Sequence, residues 1–162
     1  LMIVGLISDS HDNEDSLDQA LSALDHADVI VHAGDLCAPF MIDMLDDTGK
    51  PVHVVFGNID DRHLTTRKAD EADAVELHGN EANVEFDEIT FYVTHFPDVA
   101  RLAAESAEYD VVVHGHTHEQ RRERVGDCLL VNPGELLGRQ EKRGYGTYDT
   151  NTMTLELHRL DD

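Results

Sequence analysis

Residues 2–13 read MIVGLISDSHDN: an apolar run of strand length that stops abruptly at Ser8-Asp9-Ser10-His11-Asp12-Asn13. In open α/β sheets the ligand crevice lies beyond the carboxyl ends of the strands, so a polar cluster directly after such a run marks a candidate site. Leu17, Ala20, Leu21 and Leu24 then recur at helical spacing. Asn13 is placed as the N-cap, and Glu14, Asp15 and Asp18 sit in the first turns, where the helix dipole favours anions. A strand over 28–33, a helix from about Pro39 to Asp47 carrying Phe40, Ile42, Met44 and Leu45, and a strand over 51–56 complete a βαβαβ pattern. Such a pattern implies a parallel sheet with right-handed crossovers.

The second half changes style. Residues 60–74 show little apolar periodicity and read as an exposed loop with a short helix. Runs 83–87 and 89–95 read as a hairpin, followed by a helix over 98–108 and a strand over 110–114. Two further hairpins are expected, 119–125 with 128–132 around Gly126-Asp127, and 145–149 with 153–158 around Thr150-Asn151. These elements build either one mixed sheet or two sheets packed face to face with helices outside. The 162 residues carry no linker, repeat or low-complexity tract and are expected to form a single domain over 1–162.

The 34 acidic residues face 12 cations, for a formal net charge of −22, a surface that repels nucleic-acid backbones and anionic membranes at low salt. The aliphatic runs exclude a disordered acidic chain. The cations are 9 Arg to 3 Lys, a skew resembling halophilic proteins, whose dense carboxylates hold water where molar salt screens their repulsion. Cys37 and Cys128 are too few for a disulfide framework, and the apolar stretches fall far short of a membrane span. The amino terminus enters a strand without a basic flank or cleavage site, so a cytoplasmic location is expected.

Every strand in this reading ends in polar residues: Asp9 and His11, then Gly34-Asp35, Gly57-Asn58, His95, and Gly115-His116-Thr117-His118. Taken singly, Asp9 is a helix cap, and Gly34-Asp35 and Gly57-Asn58 are turns. Together they supply two carboxylates, one amide and four imidazoles. Oxygen and imidazole donors suit manganese, iron, zinc or nickel rather than calcium or magnesium. Seven side chains exceed one four-coordinate ion, whereas two divalent ions sharing a carboxylate use them all. His116 and His118 are two apart, so an extended backbone aims both rings to one side.

In order, these five motifs resemble those of the calcineurin-like metallophosphoesterases, and of their compact single-domain phosphodiesterases in bacteria and archaea. Asn132-Pro133-Gly134 resembles the family's late turn. The resemblance spans residue 3 to about 149 and implies a four-layer α/β/β/α fold, a mixed two-sheet β-sandwich flanked by helices. It implies one metal on Asp9, His11, Asp35 and His118 and a second on Asp35, Asn58, His95 and His116, with manganese the expected ion. Attack by a metal-bridged hydroxide on a small or activated phosphodiester follows, with Asn58, His95 and Asp35 as catalytic residues. A nucleic-acid nuclease and a non-catalytic interaction scaffold of the same fold are the alternatives, and a homo-oligomer is left open.

Two positions depart from the family pattern. Many relatives carry a proton-donating His where this chain has Ile59, leaving Asp60 or His63 as substitutes and Arg62 as a phosphate contact. Glu135 stands where relatives usually have Ser. His32 and His114 are expected to support the site from behind, whereas His26, His53, His78 and His158 present no case for chemistry. Cys37 reads as a small buried hydrophobe. Arg121, Arg122 and Arg124 line either a substrate entrance or a charged hairpin edge.

Overall fold

The computed structural model describes residues 1–160. Strands β1 (Ile3–Ile7), β2 (Val29–His32), β3 (Val52–Val54) and β4 (Val75–Leu77) lie parallel and adjacent, and β10 (Gly144–Asp149) and β11 (Thr154–Arg159) return antiparallel beside β1. A second sheet takes the order β5 (Glu81–Phe86), β6 (Ile89–Thr94), β7 (Val111–Val113), β9 (Cys128–Asn132), β8 (Arg121–Val125). Within it β6, β7 and β9 are parallel and the two edges are hairpins. Helices α1 (Glu14–Ala23), α2 (Met41–Asp46), α3 (Arg62–Glu71) and α4 (Pro97–Glu105) complete the chain.

Period-two alternation divides the core. Val4, Leu6, Val29 and Val31 face inward against Phe91, Val93, Val111 and Val113 of the other sheet. Ile7, Ile30, Val52 and Val54 face outward beneath Leu17 of α1, Leu24 at its C-cap, and Ile42 and Leu45 of α2. Across the molecule, Tyr92, Val112 and Leu130 pack under Ala100 and Ala104 of α4. The result is the α/β/β/α arrangement of two mixed sheets, not one sheet.

The short helix expected within an exposed loop over 60–74 is present, but as the ten-residue α3 it fills most of that stretch and leads into β4, a strand not expected. Its buried residues are Thr65 and Ala69, too weakly apolar to produce a periodic signal, and Asp61 caps it by accepting from the Leu64 N–H at 2.9 Å. The helix expected over 98–108 begins one residue earlier, at Pro97 in the first turn where no N–H is needed, and ends at Glu105.

Candidate metal centre

Parallel strands from both sheets send their carboxyl ends to one rim. Asp9 and His11 follow β1, Asp35 follows β2, Asn58 follows β3, His95 follows β6, and His116 and His118 follow β7. His11 Nε2 lies 3.6 Å from both Asp9 Oδ1 and Asp35 Oδ2, and His118 Nε2 lies 3.3 Å from Asp9 Oδ1. On the other side His95 Nε2 lies 3.3 Å from Asp35 Oδ2. Asn58 Oδ1 is 3.0 Å from both His95 Nε2 and His116 Nδ1. All seven expected ligands are thus brought together, with Asp35 between the two groups.

The donor set fits cations better than it fits itself. Asp9 Oδ1 and His11 Nε2 are buried and have no hydrogen-bond partner among the described residues, an arrangement that is costly without a bound ligand. Burial pushes the Asp9 carboxyl up, but His11, His95, Ser8 and His118 outweigh it and hold it below the ordinary carboxylate range. Burial pushes His11 and His95 down, and the carboxylates of Asp9 and Asp35 more than reverse this.

Strained backbone delivers these side chains. Asp9, His11, Asp35, His116 and His118 all have positive φ, between 45° and 72°, a cost that persists only where surrounding structure fixes it. Two glycines permit the convergence: a Cβ on Gly57 would overlap Asp35 Oδ1, and one on Gly115 would overlap Ser8 Oγ and lie 2.6 Å from Asp9 Oδ2. The positive φ values correct one expectation. His116 and His118 do not lie on extended backbone, and their rings diverge, His116 toward Asn58 and His95, His118 toward His11 and Asp9.

Neighbouring polar groups lock the rim. The Asp60 carboxylate accepts from the N–H groups of Asp35 (3.1 Å), Cys37 (2.7 Å) and Gly57 (2.6 Å), tying the β2 and β3 loops together. His32 Nδ1 accepts from the Gly34 N–H at 3.1 Å, which leaves Nε2 to donate to Ser10 Oγ at 3.0 Å. The Asn132 amide donates to Gly115 O and Thr117 Oγ1, while its oxygen accepts from the Gly134 N–H. His95 Nδ1 lies 2.8 Å from Ala33 O, so it carries the proton and Nε2 presents a lone pair to the centre.

Glu135 does the same for His118. Its Oε2 lies 2.7 Å from His118 Nδ1, and its Oε1 accepts from the N–H groups of Gln140 and Glu141. The sequence offered no signal for this pairing, because the partners are separated by a hairpin.

Several expected contacts are absent. Arg62 is stacked 4.7 Å from the Phe56 ring and donates to Asn80 Oδ1, so it is not directed at the rim. Asp60 is occupied by its three N–H donors, and His63 is exposed on α3. Cys37 is half-buried rather than buried, with Sγ 3.8 Å from His11 Nδ1, and burial followed by nearby carboxylates pushes its thiol up to about 12. Arg121 pairs with Glu123, and Arg124 donates to Asp127 O, along the exposed edge of the second sheet.

The family model of the calcineurin-like phosphoesterase superfamily domain matches residues 2–153. A phosphodiesterase of Methanocaldococcus jannaschii is 30% identical over 142 residues, covering 85% of this chain and 86% of its own. A solved archaeal phosphodiesterase superposes with a TM-score of 0.86 at 27% identity, covering 98% of this chain and 99% of its own. At 19% identity, vacuolar protein sorting 29 from Cryptosporidium parvum shares the fold alone, with a TM-score of 0.67 over 97% of this chain and 95% of its own. The chain belongs to the calcineurin-like phosphoesterase superfamily.

Proposed function

We propose that this protein is a two-metal phosphodiesterase acting on small or activated diesters. The observation that carries the reading is the convergence of seven donors from five strand ends around the unpartnered Asp9 Oδ1 and His11 Nε2. Asp9, His11, Asp35 and His118 would hold one ion, and Asp35, Asn58, His95 and His116 the other. What a pair of divalent ions supplies at such a place is an acidified water as nucleophile and neutralisation of the phosphoryl oxygens. Manganese is the proposed metal, with iron, zinc or nickel compatible with the same donors.

The chain's own residues set the selectivity. Asn58 and His116 are the exposed members of the set, so an incoming ester meets them first. His95 and His118 have fixed ring orientations, which holds the geometry without reorganisation during reaction. Ile59 offers no proton to a departing oxygen, and Asp60 is occupied, so the site favours leaving groups that depart as anions. Kinship with a phosphodiesterase supports diesters over monoesters. The two free thiols fit a reducing cytoplasm, and the acidic, arginine-biased surface fits molar salt. No helix among the described residues is long and apolar enough to cross a membrane.

The test is metal analysis together with hydrolysis of bis-p-nitrophenyl phosphate and p-nitrophenyl phosphate in molar KCl. At least two equivalents of metal, two of them lost when the rim ligands are replaced, preference for the diester and loss of turnover in chelator are expected. A doubly loaded protein that cleaves neither ester would show a non-catalytic member of the fold.

A further inference from the structure

Outside the rim, the described residues hold one further cluster of metal-ligating side chains: His53, Glu76 and His78. Neither histidine carries a chemical signal in the sequence, because the β3–β4 pairing that joins them is not legible from a three-residue strand. In the sheet β3 and β4 are parallel, with His53 directly opposite Glu76, and His78 lies two residues beyond Glu76 on the same side. His53 is anchored: its backbone is in the ladder and its ring rests 5.5 Å from Phe86 of the facing sheet. His78 is held by its N–H, which donates to Val54 O at 2.9 Å.

The donor atoms converge. His53 Nδ1 lies 2.8 Å from His78 Nε2 and 3.6 Å from Glu76 Oε2, and one donor atom from each of the three lies within 4.8 Å of the others. Because β4 is the last strand of its sheet, Glu76 is 68% exposed and the cluster opens to solvent, whereas each imidazole is only 16% exposed. We propose that His53, Glu76 and His78 form a third metal site, separate from the rim, that binds one divalent transition ion and clips the edge strand β4 to β3.

Two imidazoles and a carboxylate are borderline donors that select zinc, nickel or copper over magnesium or calcium. A tetrahedral ion with bonds of about 2.0–2.1 Å needs its donors about 3.3 Å apart. The two imidazoles therefore separate by roughly half an ångström to admit it, and the exposed Glu76 closes from solvent. Three protein donors leave a coordination position to water, and the net charge of −22 raises the local concentration of divalent cations.

The site is tested with Zn²⁺ and Ni²⁺ alone, by equilibrium dialysis of wild type, His78→Ala and Asp35→Asn, with folding of each variant checked by circular dichroism in chelator. His78→Ala is expected to bind one equivalent fewer than wild type at unchanged diesterase activity, and to lose the rise in Tm that this equivalent confers. Asp35→Asn is expected to keep that equivalent. Because the readout is a difference of one ion, it stands whatever the rim itself binds. Equal stoichiometry in wild type and His78→Ala would overturn the proposal and leave the imidazoles as a hydrogen-bonded pair.

Discussion

The Glu135 carboxylate and the His118 imidazole meet at 2.7 Å, with the carboxylate fully buried and its second oxygen accepting two backbone N–H groups. This carboxylate accepts the Nδ1 proton of His118 and fixes the ring so that Nε2 faces Asp9.

Replacing Glu135 with Gln keeps the size and an acceptor for the two N–H groups but removes the charge that polarises His118. Partners of this kind are worth about 10- to 100-fold in metal affinity. Glu135→Gln is therefore expected to fold normally and bind metal at least about tenfold more weakly, with turnover restored by excess metal. Calorimetric titration of the metal-free protein measures this, and wild-type affinity in the variant would remove Glu135 from the site.

Asp60 anchors the loops that carry Asp35 and Asn58, so its loss should act through structure rather than proton transfer. Hydrogen bonds to a charged group contribute about 1.5–3 kcal/mol each, less where solvent can replace them. Asp60→Ala is expected to lose roughly 2 kcal/mol in total, a fall in Tm of about 4–8 °C for a domain of this size. Its residual turnover should fall by the same factor for good and poor leaving groups. A loss confined to poor leaving groups would instead identify Asp60 as the acid.

The legible parts of this molecule are those where one strand's pattern suffices. Val4, Leu6, Val29 and Val31 announce buried strands, and Asp9, Asp35, Asn58, His95 and His116 stand out because each interrupts such a run at its carboxyl end. What stayed hidden depends on partners distant in sequence. The extent of α3 is hidden because it buries only Thr65 and Ala69, β4 is three residues long, and Glu135 has no meaning until the hairpin brings it to His118. The left-handed backbone at His116 and His118 is likewise set by tertiary contacts, among them the His116 N–H donating to Asp9 Oδ2 at 3.1 Å.

Two buried imidazoles set the acid limb of stability. Burial pushes His32 and His114 down to about 4, against an ordinary value of 6.5. Between those values the unfolded chain binds more protons than the folded one, so stability falls as pH falls from 6.5 to 4. His11 and His95, raised by their carboxylates in metal-free protein, act above 6.5, where their contribution is lost as pH rises. The metal-free protein should therefore be most stable near pH 6.5. Tm measured across pH in chelator and molar KCl, where surface repulsion is screened, tests this. His32→Gln should flatten the acid limb, and a Tm that climbs toward pH 4 would contradict the assignment.

Ile59 is 47% exposed, and its N–H donates to Asp35 Oδ1 at 3.2 Å, so the side chain stands at the mouth of the rim on a backbone tied to the central carboxylate. If the absence of a proton donor there is what restricts the substrate, Ile59→His should restore the missing function without disturbing the ligands. General acids contribute about 10²- to 10⁴-fold, and only where the leaving oxygen needs the proton. The variant is expected to gain at least about tenfold on alkyl or phenyl diesters relative to the nitrophenyl diester, with a new alkaline limb in its pH profile. An unchanged ratio with intact metal content would mean that position 59 does not face the leaving group, and selectivity would then have to come from Asn58 and His116.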